Sequence, residues 1–295
     1  MSTVTKEAVA KAYHVAMSSE EYHAHPALGS SGIETFRDSR RKFYAQYVAK
    51  TAPPKAATPA MQLGTLVHLK LFEPEKFQAR VAEPFPPLAP DGKKWLRREG
   101  SDHAKWWQEE IDKRAGLIAC DEETLDKIDA IVNAIRGNER AAKLLDQDGH
   151  CEYAIFWTDP NTGIQCKCLV DWYAPIALDL KTTCDPSPAA YARSLVGLGY
   201  VRKLAHYKEG IEQLRGESAN FVHIAAETCD PYRVASYRID DKDREGFSLG
   251  VTQRRRLLYA MAECYETGDW RDPFEKHVMD LQIPTFAFTE DTYYG

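Results

Sequence analysis

At 295 residues, 44% hydrophobic and 28% charged, the chain is long enough and apolar enough to bury a core without disulfides or a structural metal. A formal net charge of −6 gives no overall attraction to nucleic acid, so such a partner would have to be met by local basic clusters. Arg40-Arg41-Lys42, Lys93-Lys94 with Arg97-Arg98, and Arg254-Arg255-Arg256 are those clusters, and each also reads as solvated surface. No apolar run reaches membrane-spanning length, and Met1–Ala10 lacks a basic-then-apolar leader, which predicts a cytoplasmic location.

In chain order, Thr51–Pro59 and Glu83–Pro90 read as proline-rich loops. Gln62–Phe72 between them predicts a helix ending near Glu73-Pro74. Leu125, Ile128, Val132 and Ile135 recur at the three-and-four spacing of a buried helical face. The character changes at Cys151. Tyr153–Trp157, Ile164–Tyr173 and Ala177–Thr182 predict three strands, the first two joined by the turn formers Thr158 to Gly163, as an antiparallel meander. Ser187-Pro188 predicts a helix start with serine as the cap. Tyr200, Leu204, Tyr207, Ile211 and Leu214 form a second helical stripe. Phe221–Ala226 and Tyr232–Ile239 predict a strand pair around Cys229-Asp230-Pro231, and a long helix runs from about Lys242 to Glu266. Helices followed by β-β-β-α-α-β-β-α predict an α+β fold. With no flexible linker in sight, residues 1–295 read as one domain: 1–150 mainly helical, 151–270 an α/β core, and 271–295 a tail. The seven cysteines, an odd number with no CxxC pair, read as reduced structural thiols. Cys166 and Cys168 are two apart, and so share a strand face.

The chemistry concentrates at Val170-Asp171-Trp172 and Leu178-Asp179-Leu180-Lys181-Thr182-Thr183. Asp171 lies near the end of one predicted strand. Asp179 and Lys181, two apart on the next, point to one face, and pairing through the 173–176 turn makes the aspartates neighbours. Two adjacent carboxylates repel unless a cation sits between them, and hard oxygen donors suit Mg²⁺ or Mn²⁺. Such a cation can polarise a phosphate and activate water, while Lys181 orients that water and neutralises developing charge. Taken alone, D-x-K is readable as strand-end surface. Its apolar context is what asks for a reason.

The D…D-L-K-T-T pattern resembles the PDDEXK nuclease superfamily. Gly64-Thr65-Leu66-Val67-His68 with Leu71 to Phe77, the segment Tyr22 to Gly32, and Gly199-Tyr200 through Tyr207 resemble the exodeoxyribonuclease VIII (RecE) branch, over about 22 to 207. The resemblance implies a restriction-endonuclease-like α+β core with a central mixed sheet flanked by helices. It implies His68, Asp171, Asp179 and the Leu180 carbonyl as metal ligands, Lys181 as the catalytic lysine, and Glu152 as an acidic member of the catalytic set. The family's helix carries glutamine where this chain has Lys203. Lys203 and Tyr207, one helical turn apart, are candidate substrate contacts, as are Thr182, Arg41 and Lys94.

The implied activity is a Mg²⁺-dependent 5′–3′ exodeoxyribonuclease, with Mn²⁺ also supporting it, that acts on linear double-stranded DNA ends and leaves 3′ single strands. The implied partners are a single-strand annealing protein of phage-type recombination and further copies of the chain in a trimeric or tetrameric ring. Trp95, Trp106 and Trp107 are candidates either for base stacking or for helix core or a subunit contact. A structure- or sequence-selective endonuclease on the same fold, and a DNA-binding protein with a vestigial site, are the alternative functions.

Overall fold

The computed structural model describes residues 11–53, 56–96, 98–238 and 246–283. The expectations for Met1–Ala10, Arg97, Ile239, the start of the last helix at Lys242 and residues 284–295 of the tail lie outside them.

In chain order the elements are β1 (Tyr13–His14), α1 (Ser19–Ala24), α2 (Ser30–Asp38), α3 (Arg40–Phe43), α4 (Pro59–Phe72), α5 (Pro74–Arg80), α6 (Asp102–Arg114), α7 (Glu122–Gly137) and α8 (Glu139–Leu145). They continue with β2 (His150–Thr158), β3 (Gln165–Tyr173), β4 (Ile176–Thr183), α9 (Pro188–Gly197), α10 (Tyr200–Arg215), β5 (Asn220–Glu227), β6 (Val234–Arg238) and α11 (Gly246–Thr267). Local chemistry sets several of these bounds. Helix α4 starts at Pro59, ahead of the expected Gln62, because the Thr58 hydroxyl accepts the Met61 N–H. Helix α10 is bounded by Gly199 and Gly216, both left-handed at φ 73 and 77. Helix α9 departs from expectation. Its cap residue Ser187 makes no side-chain capping bond, and its own N–H instead donates to the Asp185 carboxylate at 2.8 Å.

The sheet has the order β1-β2-β3-β4-β5-β6. The β2-β3-β4 meander is antiparallel, as the short turns predict. The α9–α10 crossover brings β5 beside β4 in parallel, which makes the sheet mixed, and β6 returns antiparallel. Helices cover both faces. Val67 of α4 and Ile128, Ile131 and Ile135 of α7 pack on Leu178 and Ile224. Leu204, Tyr207 and Ile211 of α10 pack on Ile155, Cys168, Ala177 and Phe221. Cys166 and Cys168 do share that second face, both fully buried.

Three tryptophans and one arginine settle into packing contacts, while Arg255 and Arg256 stay exposed. Trp95 and Trp107 meet edge-on with ring centroids 5.3 Å apart, Phe85 packs on both, and Trp95 donates to the Pro86 carbonyl at 2.8 Å. Trp106 packs on His103. These rings hold the proline-rich loop against α6, which is the packing alternative to base stacking. Arg254 is buried, donating to His206 and Glu209, so the 254–256 cluster begins as a core contact.

Candidate active site

Strands β2 and β3 change faces together where the acids lie. Val170 and Tyr173, three apart, both belong to the α10-side core, whereas strict alternation would separate them. On β2, His150 and Tyr153 are likewise three apart, with rings stacked at 5.7 Å. The switch coincides with Glu152, whose backbone is left-handed at φ 47 and which sits across from Asp171 in the register. Trp172 consequently turns to the α4 side and stacks on Phe72. Asp171 therefore lies where both helical layers reach it. The β3–β4 ladder holds at Trp172–Leu178; one residue on, the Asp171 Oδ2 accepts the Leu180 N–H at 2.8 Å. From α4, His68 Nε2 stands 3.7 Å from the Asp171 Oδ1.

Asp179, opposite Asp171, is wholly buried. One of its oxygens takes the Lys181 ammonium, and the other takes Lys203 Nζ at 2.8 Å. Lys181 also donates to the Leu180 carbonyl at 3.1 Å and lies over the Tyr200 ring. Lys203 lies over the Tyr207 ring, 4.8 Å from its centroid, so the two do share a helical face. The electrostatics follow from this crowding. Burial opposes ionisation of Asp171, but His68, Lys181, Lys203 and the Leu180 N–H outweigh it and hold the carboxyl below the usual range. Burial raises Glu152, helped by the charges of Glu73 and Asp171. Burial and the neighbouring Lys203 ammonium push Lys181 well below an ordinary lysine. For Lys203, burial is overcome by Tyr207 and Asp171, and its proton is held more tightly than usual.

By donor type the cluster suits a hard divalent cation: two aspartates, a glutamate, a backbone carbonyl and one imidazole. Among the described residues no three His, Cys, Asp or Glu side chains stand together as a finished ligand set. Two ammonium groups occupy the Asp179 oxygens, supplying there the positive charge that a divalent cation would bring.

A cavity of about 840 Å³ opens beside this cluster, lined by Tyr22, His25, Lys167, Asp171, Tyr200, Lys203 and Tyr207 among others. Arg41 and Lys94 are not in its lining. Arg41 pairs with Glu275 at 2.7 Å, and Lys94 is an exposed loop residue. Thr182 is half-buried, facing Gly64 of α4, where an added Cβ would come within 3.1 Å of its hydroxyl. Sequence reasoning missed His223, Tyr191 and Lys167. Lys167 is buried in β3, donating to the carbonyls of Tyr22 and His25. The signal available for it and for His223 was a polar residue inside an apolar strand.

A mixed sheet with D…D-x-K at a fork between two strands defines the PDDEXK class of fold. More particularly, residues 29–276 match the family described as a PDDEXK-like domain of unknown function (DUF3799), and the chain belongs to that family. Among solved structures it is similar to a protein from Eubacterium rectale provisionally named an exonuclease. The identity is 15%, covering 92% of this chain and 96% of that one, with a TM-score of 0.55. At that identity the likeness is one of fold. No curated protein matches the sequence. Neither likeness singles out the exodeoxyribonuclease VIII branch. Among the described residues no helix is long and apolar enough to cross a membrane.

Proposed function

We propose that this protein is a divalent-cation-dependent nuclease, and specifically a 5′–3′ exodeoxyribonuclease on linear double-stranded DNA. The observation that carries the reading is the Asp179–Lys181 pair set one strand from Asp171, whose carboxylate is fixed on the Leu180 N–H. PDDEXK membership and the fold support the nuclease class; the exonuclease polarity rests on the motif resemblance.

Asp171, Asp179 and the Leu180 carbonyl would hold Mg²⁺ or Mn²⁺, with His68 completing the set from α4. Glu152 stands at its edge. When bound, the cation supplies Lewis-acid polarisation of the phosphate and a more acidic water. Lys181 orients the attacking water through Nζ and neutralises charge building on the phosphate oxygens. Its weakened hold on a proton, caused by burial and Lys203, suits exchange with that water. Lys203 keeps its charge and can pass from Asp179 to a non-bridging phosphate oxygen. The aromatic and basic lining of the cavity suits a nucleotide's base and phosphate. A ring of three or four copies, and an annealing protein that takes the product strand, complete the reading.

The test is Mg²⁺-dependent release of a 5′ label as mononucleotide from linear duplex, with a covalently closed circle alongside. Loss of the linear form alone is expected. Cutting of the circle would replace the exonuclease by an endonuclease on the same fold.

A further inference from the structure

The strand Phe221-Val222-His223-Ile224-Ala225-Ala226 is apolar except for His223, which is 2% exposed. A buried imidazole in such a strand needs a partner for each nitrogen, or it costs stability that a phenylalanine would not. The parallel ladder pairs His223 with Asp179, so the two side chains leave the sheet side by side. His223 Nδ1 lies 2.9 Å from the Tyr191 hydroxyl, and Nε2 lies 3.9 Å from the Asp179 carboxylate.

We propose that His223, held by Tyr191, is a positioning residue that orients the Asp179 carboxylate for the cation and the substrate; this rests on the metal-site reading above. Only one tautomer suits both neighbours. With the proton on Nε2, the ring turns its N–H to the carboxylate across 3.9 Å, longer than a direct hydrogen bond, while Nδ1 accepts the tyrosine O–H. The reverse arrangement would aim a lone pair at a carboxylate.

The supports are rigid. Tyr191 is 1% exposed and stacked on Tyr237 at 4.9 Å, and the edges of Tyr200 and Phe221 close on His223. Lys181 and Lys203 approach Asp179 on flexible stems and can leave it. His223 cannot leave, so it supplies the fixed side of the carboxylate's surroundings. Such outer partners of a ligand are worth roughly 10–100-fold in metal affinity.

The test is Mn²⁺ titration of the full chain by calorimetry, with no DNA present, on wild type, His223→Phe, His223→Gln, Tyr191→Phe and Asp179→Asn. Thermal melts confirm that each variant is folded. His223→Phe is expected to bind Mn²⁺ at least ~10-fold more weakly. His223→Gln, which retains a donor, should stay near wild type. Tyr191→Phe should weaken binding about fivefold, the equivalent of one neutral hydrogen bond. Unchanged affinity in a folded His223→Phe protein, with Asp179→Asn impaired, overturns the positioning role and leaves the metal site standing. Should His223→Phe not fold, unchanged affinity in Tyr191→Phe overturns it equally. Wild type without Mn²⁺ binding, or Asp179→Asn binding as wild type does, overturns the metal-site reading and this inference together.

Discussion

The Asp171 carboxylate accepts the Leu180 backbone N–H at 2.8 Å, one residue beyond the last β3–β4 ladder pair, Trp172–Leu178. A side chain here does what a strand carbonyl does elsewhere. The bond fixes the Asp171 carboxylate against β4, beside the wholly buried Asp179, where the ladder from the turn stops. The same contact thus marks where the β3–β4 ladder stops and where the Asp171 carboxylate is held.

Lys203 is half of the charge balance of Asp179. Lys203→Met would leave one oxygen of a buried carboxylate unpaired and is expected to lower unfolding stability by about 3 kcal/mol. Lys203→Gln, whose amide can still donate, should cost only about 1 kcal/mol. Urea denaturation of the two variants checks the order. Small costs in both would show that the ammonium's hydrogen bond to Asp179 contributes nothing, and equal large costs that an amide cannot replace it.

His206 sets an acid limit on stability. It is fully buried, with Nε2 donating to the Lys167 carbonyl at 3.0 Å and Nδ1 accepting from Arg254 at 3.1 Å. Burial and the Arg254 charge push it down to about 3, against about 6.5 in the unfolded chain. The unfolded state therefore binds a proton first as pH falls. The stability contributed by neutral His206 is whole above about pH 6.5 and is lost progressively toward pH 3, by an amount of order 5 kcal/mol. Melts between pH 4 and 7 on wild type and His206→Gln should show a shallower acid slope in the variant.

Gly250 allows α11 to cross α10 closely, because a Cβ there would strike the Val201 carbonyl. Gly250→Ala favours the helix by propensity, yet it is expected to destabilise by about 1–3 kcal/mol. The displaced α10 start carries Lys203, so the variant should also alter cleavage. An unchanged melt with unchanged cleavage would argue against this close crossing.

Much of this arrangement was legible in the sequence. Apolar strand-forming runs and the short turns between them predict the β2-β3-β4 meander, and the two-residue strand period places Asp179 and Lys181 on one face. The three-and-four spacing in 125–135 and 200–214 predicts α7 and α10. Long-range relations were not legible. Nothing local shows that β5 joins β4 in parallel, and without that pairing His223 has no link to Asp179. The face switch at Glu152 and Asp171 breaks the alternation on which strand reading depends. Arg255 and Arg256 are surface, as their basic run suggests, but Arg254 is not, because its burial depends on His206 and Glu209, which are distant in sequence. Arg41 was assigned by its basic neighbours, whereas its guanidinium is bound to Glu275 from the far end of the described chain.

The most direct test is single-turnover cleavage of 5′-labelled linear duplex with Mg²⁺, comparing wild type with Lys181→Ala. With Lys181 beside Asp179 as the group that orients water and neutralises charge, the rate should fall at least ~100-fold in the variant while DNA binding is retained. A Lys181→Ala protein that cleaves at the wild-type rate would contradict the account, and so would a folded wild-type protein that cleaves nothing with either Mg²⁺ or Mn²⁺.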